Sequence, residues 1–362
     1  MSEDVTELMT DAFNGVTTLT AVYFAENGNL TVIGSNAFKN TSLESAEIPN
    51  TVKTLGSNAF DGVTTLKSLT FEEGGEQTLN VKGQVIKGTS LTSLAFPARS
   101  LTFDGKTFEN VSTLETVTFA DSTNELVLNE SVFKGTAVSS LNFGNRLITF
   151  KKAALNKLAT LTSVIFGENA IIKQAEDEAF TGTSLTTVQI PAVENVSKFG
   201  NGVFGGISTL ESFTLAENNT VHEVVDGVLY LKDGENLILI QVPAGKFDAQ
   251  DTFVLPDNVV TIKTYAFEGV TVDTVYTSAD SILATLEKDC FGYYVATLSC
   301  KVKTLVLPAT VSKFDAKAVE NCTQLSAINY RGTGIQWGKV VAENNLSLPD
   351  SITVTPNFVD AA

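Results

Sequence analysis

One histidine, His222, and three cysteines, Cys290, Cys300 and Cys322, are all that 362 residues offer for imidazole or thiolate chemistry. A nucleophilic Ser, Thr or Cys needs a base beside it, and a lone histidine next to Glu223 reads as a plain polar residue. The cysteines lack CxxC spacing. They read as small buried core residues, with one bridge and a leftover thiol as the alternative. So few His and Cys ligands leave no metal site of that kind to expect, and no cofactor. HExxH, GxSxG, P-loop and GxGxxG sequences are also missing, so no catalytic residue is expected. Carboxylates are too numerous for counting to eliminate an Asp/Glu glycosidase pair, yet none stands out. The clusters EEGGE (72–76) and AEDEAF (175–180) read as solvated bends.

Basic residues are scarce as well. Against 41 Asp and Glu stand 24 Lys and Arg, a formal charge of -17, which argues against nucleic acid and anionic membrane as partners because both are gripped by clustered cations. No apolar run approaches the roughly 20 residues of a membrane helix. The opening MSEDVTELMT is polar and acidic, so a targeting segment is expected to be absent from this chain. What is plentiful is apolar residue, 43% against 18% charged, enough for a packed core and too little charge for disorder.

That apolar content is periodic. An aromatic or aliphatic anchor recurs at Phe13, Phe38, Phe60, Ile86, Phe108, Phe133, Leu155, Phe180 and Phe204, then at Phe267, Phe291 and Val319. The first nine are spaced 25, 22, 26, 22, 25, 22, 25 and 24 residues apart, so two coil types alternate in a unit of about 47 residues. After each anchor the pattern L-x-x-V/L-x-F/I puts two apolar residues on one face of a short strand. Pro49, Pro97, Pro191 and Pro308 end such strands, because proline cannot donate to a ladder. A second apolar pair, as in LTVIGSNAF (30–38), predicts another short extended segment before the next anchor. Gly or Asn just after the anchor, as at Gly15, Asn40, Gly62, Gly88 and Gly135, supplies the turn. A repeat of this kind builds a solenoid whose parallel strands stack about 4.8 Å apart.

The string AF-x-G/N-x-T/S-x-L-x-x-V-x-F/I-P, followed by V-x-x-I-x-x-x-AF, resembles the BspA-like leucine-rich repeat family over residues 8 to 330. The resemblance implies an α/β repeat solenoid rich in β: right-handed and curved, with parallel β-strands on the concave face and short turns or helical turns elsewhere. It further implies secretion, display on a bacterial cell surface, and adhesion to a host or matrix protein or a cell-surface glycan. The segment VDGVLYLKDGENLILIQVPAG (225–245) resembles an insert found between repeats, and Asp233-Gly234 marks a hairpin within it. The segment INYRGTGIQWGKV (328–340) resembles a terminal coil, with Trp337 as its cap. The organisation expected is an N-terminal array over 1–224, a hairpin insert over 225–250, C-terminal coils and cap over 251–345, and a tail over 346–362. The usual N-terminal capping residues are expected to be missing, and a monomer is expected.

Two outward columns carry what functional signal there is. One is uniformly small, from Ala21, Ser45 and Ser68 through Thr304 to Ala327, and reads either as a hydroxyl ladder holding register or as a smooth trough for a polymer. The other varies, and its candidate ligand contacts are Tyr23, Glu47, Asn142, Gln189, Tyr276 and Asn329, the two tyrosines foremost. Neutral drift explains the variation equally well. The function expected is a non-enzymatic extracellular binding or adhesion module. A spacer projecting another domain is the rival reading, and a carbohydrate-active enzyme a distant third. Truncating a buried anchor, Phe60→Ala, should cost roughly 3 to 5 kcal/mol. Amide exchange should then rise in the adjacent coils first, and a uniform rise along the chain would contradict the repeat-by-repeat reading.

Overall fold

A computed structural model describes residues 1–248, 251–292 and 300–360. The chain forms two compact units. The first comprises Met1–Leu185, Gln189–Gly200 and Ala216–Asn219, and the second Thr186–Val188, Asn201–Leu215 and Thr220–Ala362. Both are parallel-strand solenoids.

In the first unit the apolar pair before each anchor forms a nine-stranded parallel sheet, running from Glu7–Leu8 through Leu79–Val81 and Leu147–Phe150 to Ala192–Val193. The segment after each anchor forms the opposite wall. There Ser45–Ile48 pairs with Ser68–Phe71, while Ser93–Phe96, Thr116–Phe119, Ser140–Asn142 and Ser163–Ile165 make a four-stranded parallel sheet. Exposed and buried residues alternate along these strands as the period of two requires. The four proline-ended strands stop one residue before Pro49, Pro97, Pro191 and Pro308.

Between the walls lie the anchors. Phe38, Phe60, Ile86, Phe108, Phe133, Leu155 and Phe180 are buried, and Phe13, in the first coil with a neighbour on one side only, is half-buried. Phe38 stacks between Phe13 and Phe60 at centroid distances of 5.5 and 5.3 Å, and Phe108 stacks on Phe133 at 5.3 Å. Each buried anchor contributes about 1.5 to 3 kcal/mol through apolar area, and each ring pair about 0.5 to 1.5 kcal/mol more.

The anchor bend shows a feature that the residue pattern half conceals. Residues two after the anchor have positive φ, as at Gly62 (72°), Gly88 (70°) and Lys157 (60°), and so do residues two before it, including Asn36 (55°), Gln84 (56°), Lys106 (63°) and Ala153 (54°). The alternation aims every second N–H at the next coil. Asn36, Phe38 and Asn40 donate to Ser57, Ala59 and Asp61 at 2.8 to 2.9 Å, while Ala37, Lys39 and Thr41 donate back within their own coil.

The second unit opens on an antiparallel meander. His222–Val225 pairs with Val228–Asp233, which pairs with Asn236–Gln241. Asn236–Gln241 then joins a parallel run through Val259–Ile262 and Thr285–Leu286 to Lys313–Phe314. The hairpin is thus a member of the sheet, and residues 249–250 of the segment read as an insert lie outside the described residues. A first turn at Asp226 (φ 52°) and Gly227 (φ 74°) precedes the one containing Gly234 (φ 65°), which is the geometry a two-residue hairpin favours. Val242 follows as a buried anchor outside the series of anchors legible in the repeat. Its N–H donates to Ala266 as Phe38 does to Ala59.

The opposite wall of this unit runs Thr252–Val254, Thr274–Tyr276, Thr304–Leu307, Ala327–Tyr330 and Thr353–Pro356. Residues read as a tail therefore supply its last strand, with 361–362 outside the described residues. Ahead of that strand lies a helix, Gly334–Asn344, begun by a capping box between Thr333 and Gln336. Trp337 on it packs edge-on to Phe314 at 6.3 Å and against Tyr330 at 5.2 Å. Cys300 and Cys322 are joined as a disulfide with Cα atoms 4.8 Å apart. Cys290 is free and buried, and burial pushes its thiol pKa up, so it is unreactive.

Two measurements test this account. Lys157 is exposed and sits where Gly62, Gly88, Gly135 and Gly182 sit in other coils. A left-handed non-glycine residue costs about 1 to 2 kcal/mol, against about 0.4 to 1 kcal/mol of extra chain entropy for glycine. Lys157→Gly should therefore raise stability to chemical denaturation by about 0.5 to 1 kcal/mol. His222 is buried, and desolvation, with Lys232 adding to it, lowers its pKa from 6.5 to about 4. The unfolded chain thus takes up a proton below pH 6.5 that the folded chain refuses. The stability this supplies is complete above pH 6.5 and drains as pH falls toward 4. Between pH 6.5 and 5, above the main carboxylate range, stability should fall by about 2 kcal/mol, and His222→Gln should flatten that limb.

Candidate functional site

The strand wall of the first unit exposes two columns whose alignment is fixed by register. Ser45 lies opposite Ser68 and Glu47 opposite Thr70, while Ser93, Thr116 and Ala95, Thr118 pair likewise. Asn142 lies beside both Thr118 and Ile165. Tyr23, Glu47, Asn142 and Gln189 are exposed, Tyr23 by 80%. In the small column Ser45, Ser68, Ser93, Thr116 and Ser140 are exposed, and Ser163, opposite Ser140, is half-buried.

This wall is not continuous. No ladder joins Ser68–Phe71 to Ser93–Phe96, and residues 20–23 form no strand against Ser45–Ile48. Both breaks lie on the upstream side of a proline-ended strand. Glu72 donates its N–H to the Ile48 carbonyl at 2.9 Å and Ala120 to Phe96 at 2.8 Å, but Pro97, at the equivalent place, has no N–H for Phe71. Pro49 likewise has none for the coil before it. A recess opens at each break. The one at Pro49, about 230 Å³, brings Tyr23 together with Glu47, Glu26 and Glu72. The one at Pro97, about 430 Å³, lies between Ser68, Thr70 and Phe71 on one side and Ser93, Ala95 and Thr118 on the other. Neither lining contains histidine or cysteine.

Two buried arginines support the bends behind these recesses, and the residue pattern gave no reason to single them out. Arg99 donates through Nη1 to the Asn50 and Val52 carbonyls at 2.7 and 2.8 Å. Arg146, one two-coil unit later, donates to Pro97 and Ala120 at 2.8 and 2.9 Å and to Arg99 at 3.1 Å. Burial lowers both pKa values; the main-chain carbonyls offset part of the desolvation cost, while Arg99 Nε and Nη2 and Arg146 Nε are buried with no hydrogen-bond partner. Asn50, held by Arg99, in turn holds the 72–76 loop, donating its backbone N–H to Glu72 Oε2 and its side-chain amide to the Glu73 carbonyl. The other acidic cluster is also engaged: Glu176 takes the Lys151 ammonium at 3.0 Å and the Lys152 N–H at 2.8 Å.

In the second unit the equivalent columns are less open. Register adds Thr252 to the small column and Val254, 60% exposed, to the variable one. Val306 is buried, and Asn329 is half-buried beside Thr355. Tyr276 is already occupied. Its hydroxyl donates to Asp360 at 2.9 Å, which pushes the phenol pKa up, and accepts from Arg331 at 3.1 Å. Arg331 pairs with both Asp360 oxygens at 2.9 and 3.0 Å and lies 5.4 Å from the Tyr276 ring centroid and 5.5 Å from that of Phe358. Among the described residues, no group of three or more His, Cys, Asp or Glu is placed to hold a metal ion, and no helix is long and apolar enough to cross a membrane.

Comparison with known proteins adds the following. The sequence matches the family described as BspA type leucine rich repeat region, in six copies, over residues 1–115, 127–230 and 246–358. A leucine-rich repeat protein from Bacteroides ovatus is 16% identical, with 98% of this chain and 88% of that one covered at a TM-score of 0.51, and shares the fold. A leucine rich cell surface protein from Faecalibacterium prausnitzii is 22% identical over 93% of this chain and 90% of that one, at a TM-score of 0.41. The pneumococcal vaccine antigen PcpA is 16% identical over 80% and 86%, at 0.47. No curated protein matches the sequence.

Proposed function

The chain belongs to the BspA type leucine-rich repeat family, and on that premise we propose that it is a non-enzymatic binding or adhesion module working outside the cell. It holds a protein or glycan partner against its strand wall. The observation that carries this reading is the wall of the first unit, where side chains are held in register, exposed, uniform in one column and varied in the next. A rigid array of that kind presents contacts at no ordering cost, which is what an affinity surface needs. Tyr23, Glu47, Asn142 and Gln189 are its proposed contacts on the first unit; on the second, taken separately, Asn329 is the proposed contact, and Tyr276 would serve only on release from Asp360 and Arg331. The bridge between Cys300 and Cys322 supports an oxidising, extracellular setting, and the charge of -17 turns the surface away from nucleic acid.

The test is saturable binding of the full chain to immobilised matrix proteins and surface glycans. Tyr23→Ala removes an exposed ring without touching the core, and should weaken binding about tenfold or more, as loss of an aromatic contact does. Glu47→Ala with Asn142→Ala and Gln189→Ala should weaken it further. Binding that survives all four changes, or a chain that binds nothing presented, would overturn the reading.

A further inference from the structure

We propose that the recess at the Pro97 break is a binding site for one sugar unit of a neutral glycan. This rests on the reading of the chain as a binding module and names the ligand chemistry of one place on its wall.

The break is local to one side. Behind it the other sheet continues in register, with Thr54 opposite Asn80, Leu79 opposite Leu101 and Val81 opposite Phe103. The two coils are therefore held at normal spacing on that sheet, and on the strand wall they stay adjacent, with the Phe71 and Phe96 rings 4.8 Å apart, but without a ladder of hydrogen bonds. Neighbours this close leave no room for an added peptide strand, which needs about 4.8 Å on each side along its whole length. A compact ring needs no such ladder. The volume of about 430 Å³ falls within the roughly 300 to 1,000 Å³ of small-molecule sites.

The lining chemistry is that of a polyol site. Ser68, Thr70, Ser93 and Thr118 present four hydroxyls, each able to donate and accept, and the Phe71 carbonyl lies at the break with no N–H from Pro97 to meet it. Ala95, between Thr70 and Thr118 in the variable column, leaves the depression empty of side chain. One wall is aromatic. Phe71 is half-buried where its counterparts Ile48, Phe96, Phe119 and Phe143 are buried, and its ring lies 4.8 Å from that of Phe96. Partly exposed apolar surface of Phe71 at the edge of the recess, beside the hydroxyls of the outward column, suits the apolar face and hydroxyl edge of a pyranose. Lys67 and Glu73 in the lining cancel in charge, so a charged ligand gains nothing over a neutral one. The Pro49 recess, with three carboxylates, lacks that neutrality.

Titration of the full chain with cellotetraose, maltotetraose and mannotetraose, followed by amide shifts, tests the site. At least one should bind, with shifts concentrated at Thr70, Ala95 and Thr118. Ala95→Tyr fills the depression from an exposed strand position and should lower affinity by about tenfold or more, the loss of one good contact. Ala95→Gln should lower it less, and Val254→Tyr, at an exposed strand position of the second unit, should leave it unchanged. Binding of none of the three sugars, or equal binding by both Ala95 variants, would overturn the site. A chain that ignores the sugars yet loses a protein partner on Tyr23→Ala would leave the module reading standing and this inference alone rejected.

Discussion

Main-chain hydrogen bonding between successive coils is the constraint on which everything else here depends. A coil of 22 to 26 residues is too short to bury its own apolar face, so its neighbour must both cover it and take up its backbone groups. Three lines of bonds do this in the first unit: the sheet before the anchors, the bends at the anchors, and the strand wall after them. At the bends the requirement forces the chain into left-handed conformation on either side of the anchor. The strain is tolerated because it turns alternate N–H groups toward acceptors that would otherwise be buried without donors.

The same constraint explains where the wall opens. Proline at the end of a strand removes one donor, and in the first unit the break falls between that strand and the coil before it. Because alternate coils carry the proline, as at Pro49 and Pro97, recesses recur with the two-coil unit. Position 144 interrupts that series with glycine, and there the ladder runs on from Thr116–Phe119 through Ser140–Asn142 to Ser163–Ile165. A duplication history thus becomes a spacing of recesses, each lined differently because the variable column differs from coil to coil.

Ends and interruptions are handled by substitution of equivalent parts. In the second unit a hairpin strand, Asn236–Gln241, takes the place of an apolar pair and still delivers Val242 to an anchor position. At its other end Trp337 covers apolar surface that a further coil would have covered, and Arg331 ties Asp360 across Tyr276. That tie makes Tyr276 a different kind of residue from Tyr23. The two occupy the same column, but one stands in solvent while the other is engaged on its hydroxyl and its ring.

The anchors, the two apolar segments of each coil, the strand-ending prolines and the glycine turn were legible from residue identity, because burial and φ restrict those positions to few side chains. So were the two columns, since a period of two fixes which residues point outward. The turn at Asp226-Gly227 and the capping box at Thr333 and Gln336 were written there too, but outside the repeat pattern. Other features were not written in any single coil. Asn, Gln, Lys and Ala share the left-handed site before the anchor, so no residue type marks it. Arg99 and Arg146 look like surface cations until carbonyls from coils up to 49 residues earlier enclose them. Phe71 matches its buried counterparts in sequence, and only the missing ladder exposes it. The sequence alone determined what each coil must bury. Which groups from different coils meet, and where they fail to, was decided by the tertiary structure, because a hydrogen bond between coils belongs to two segments at once.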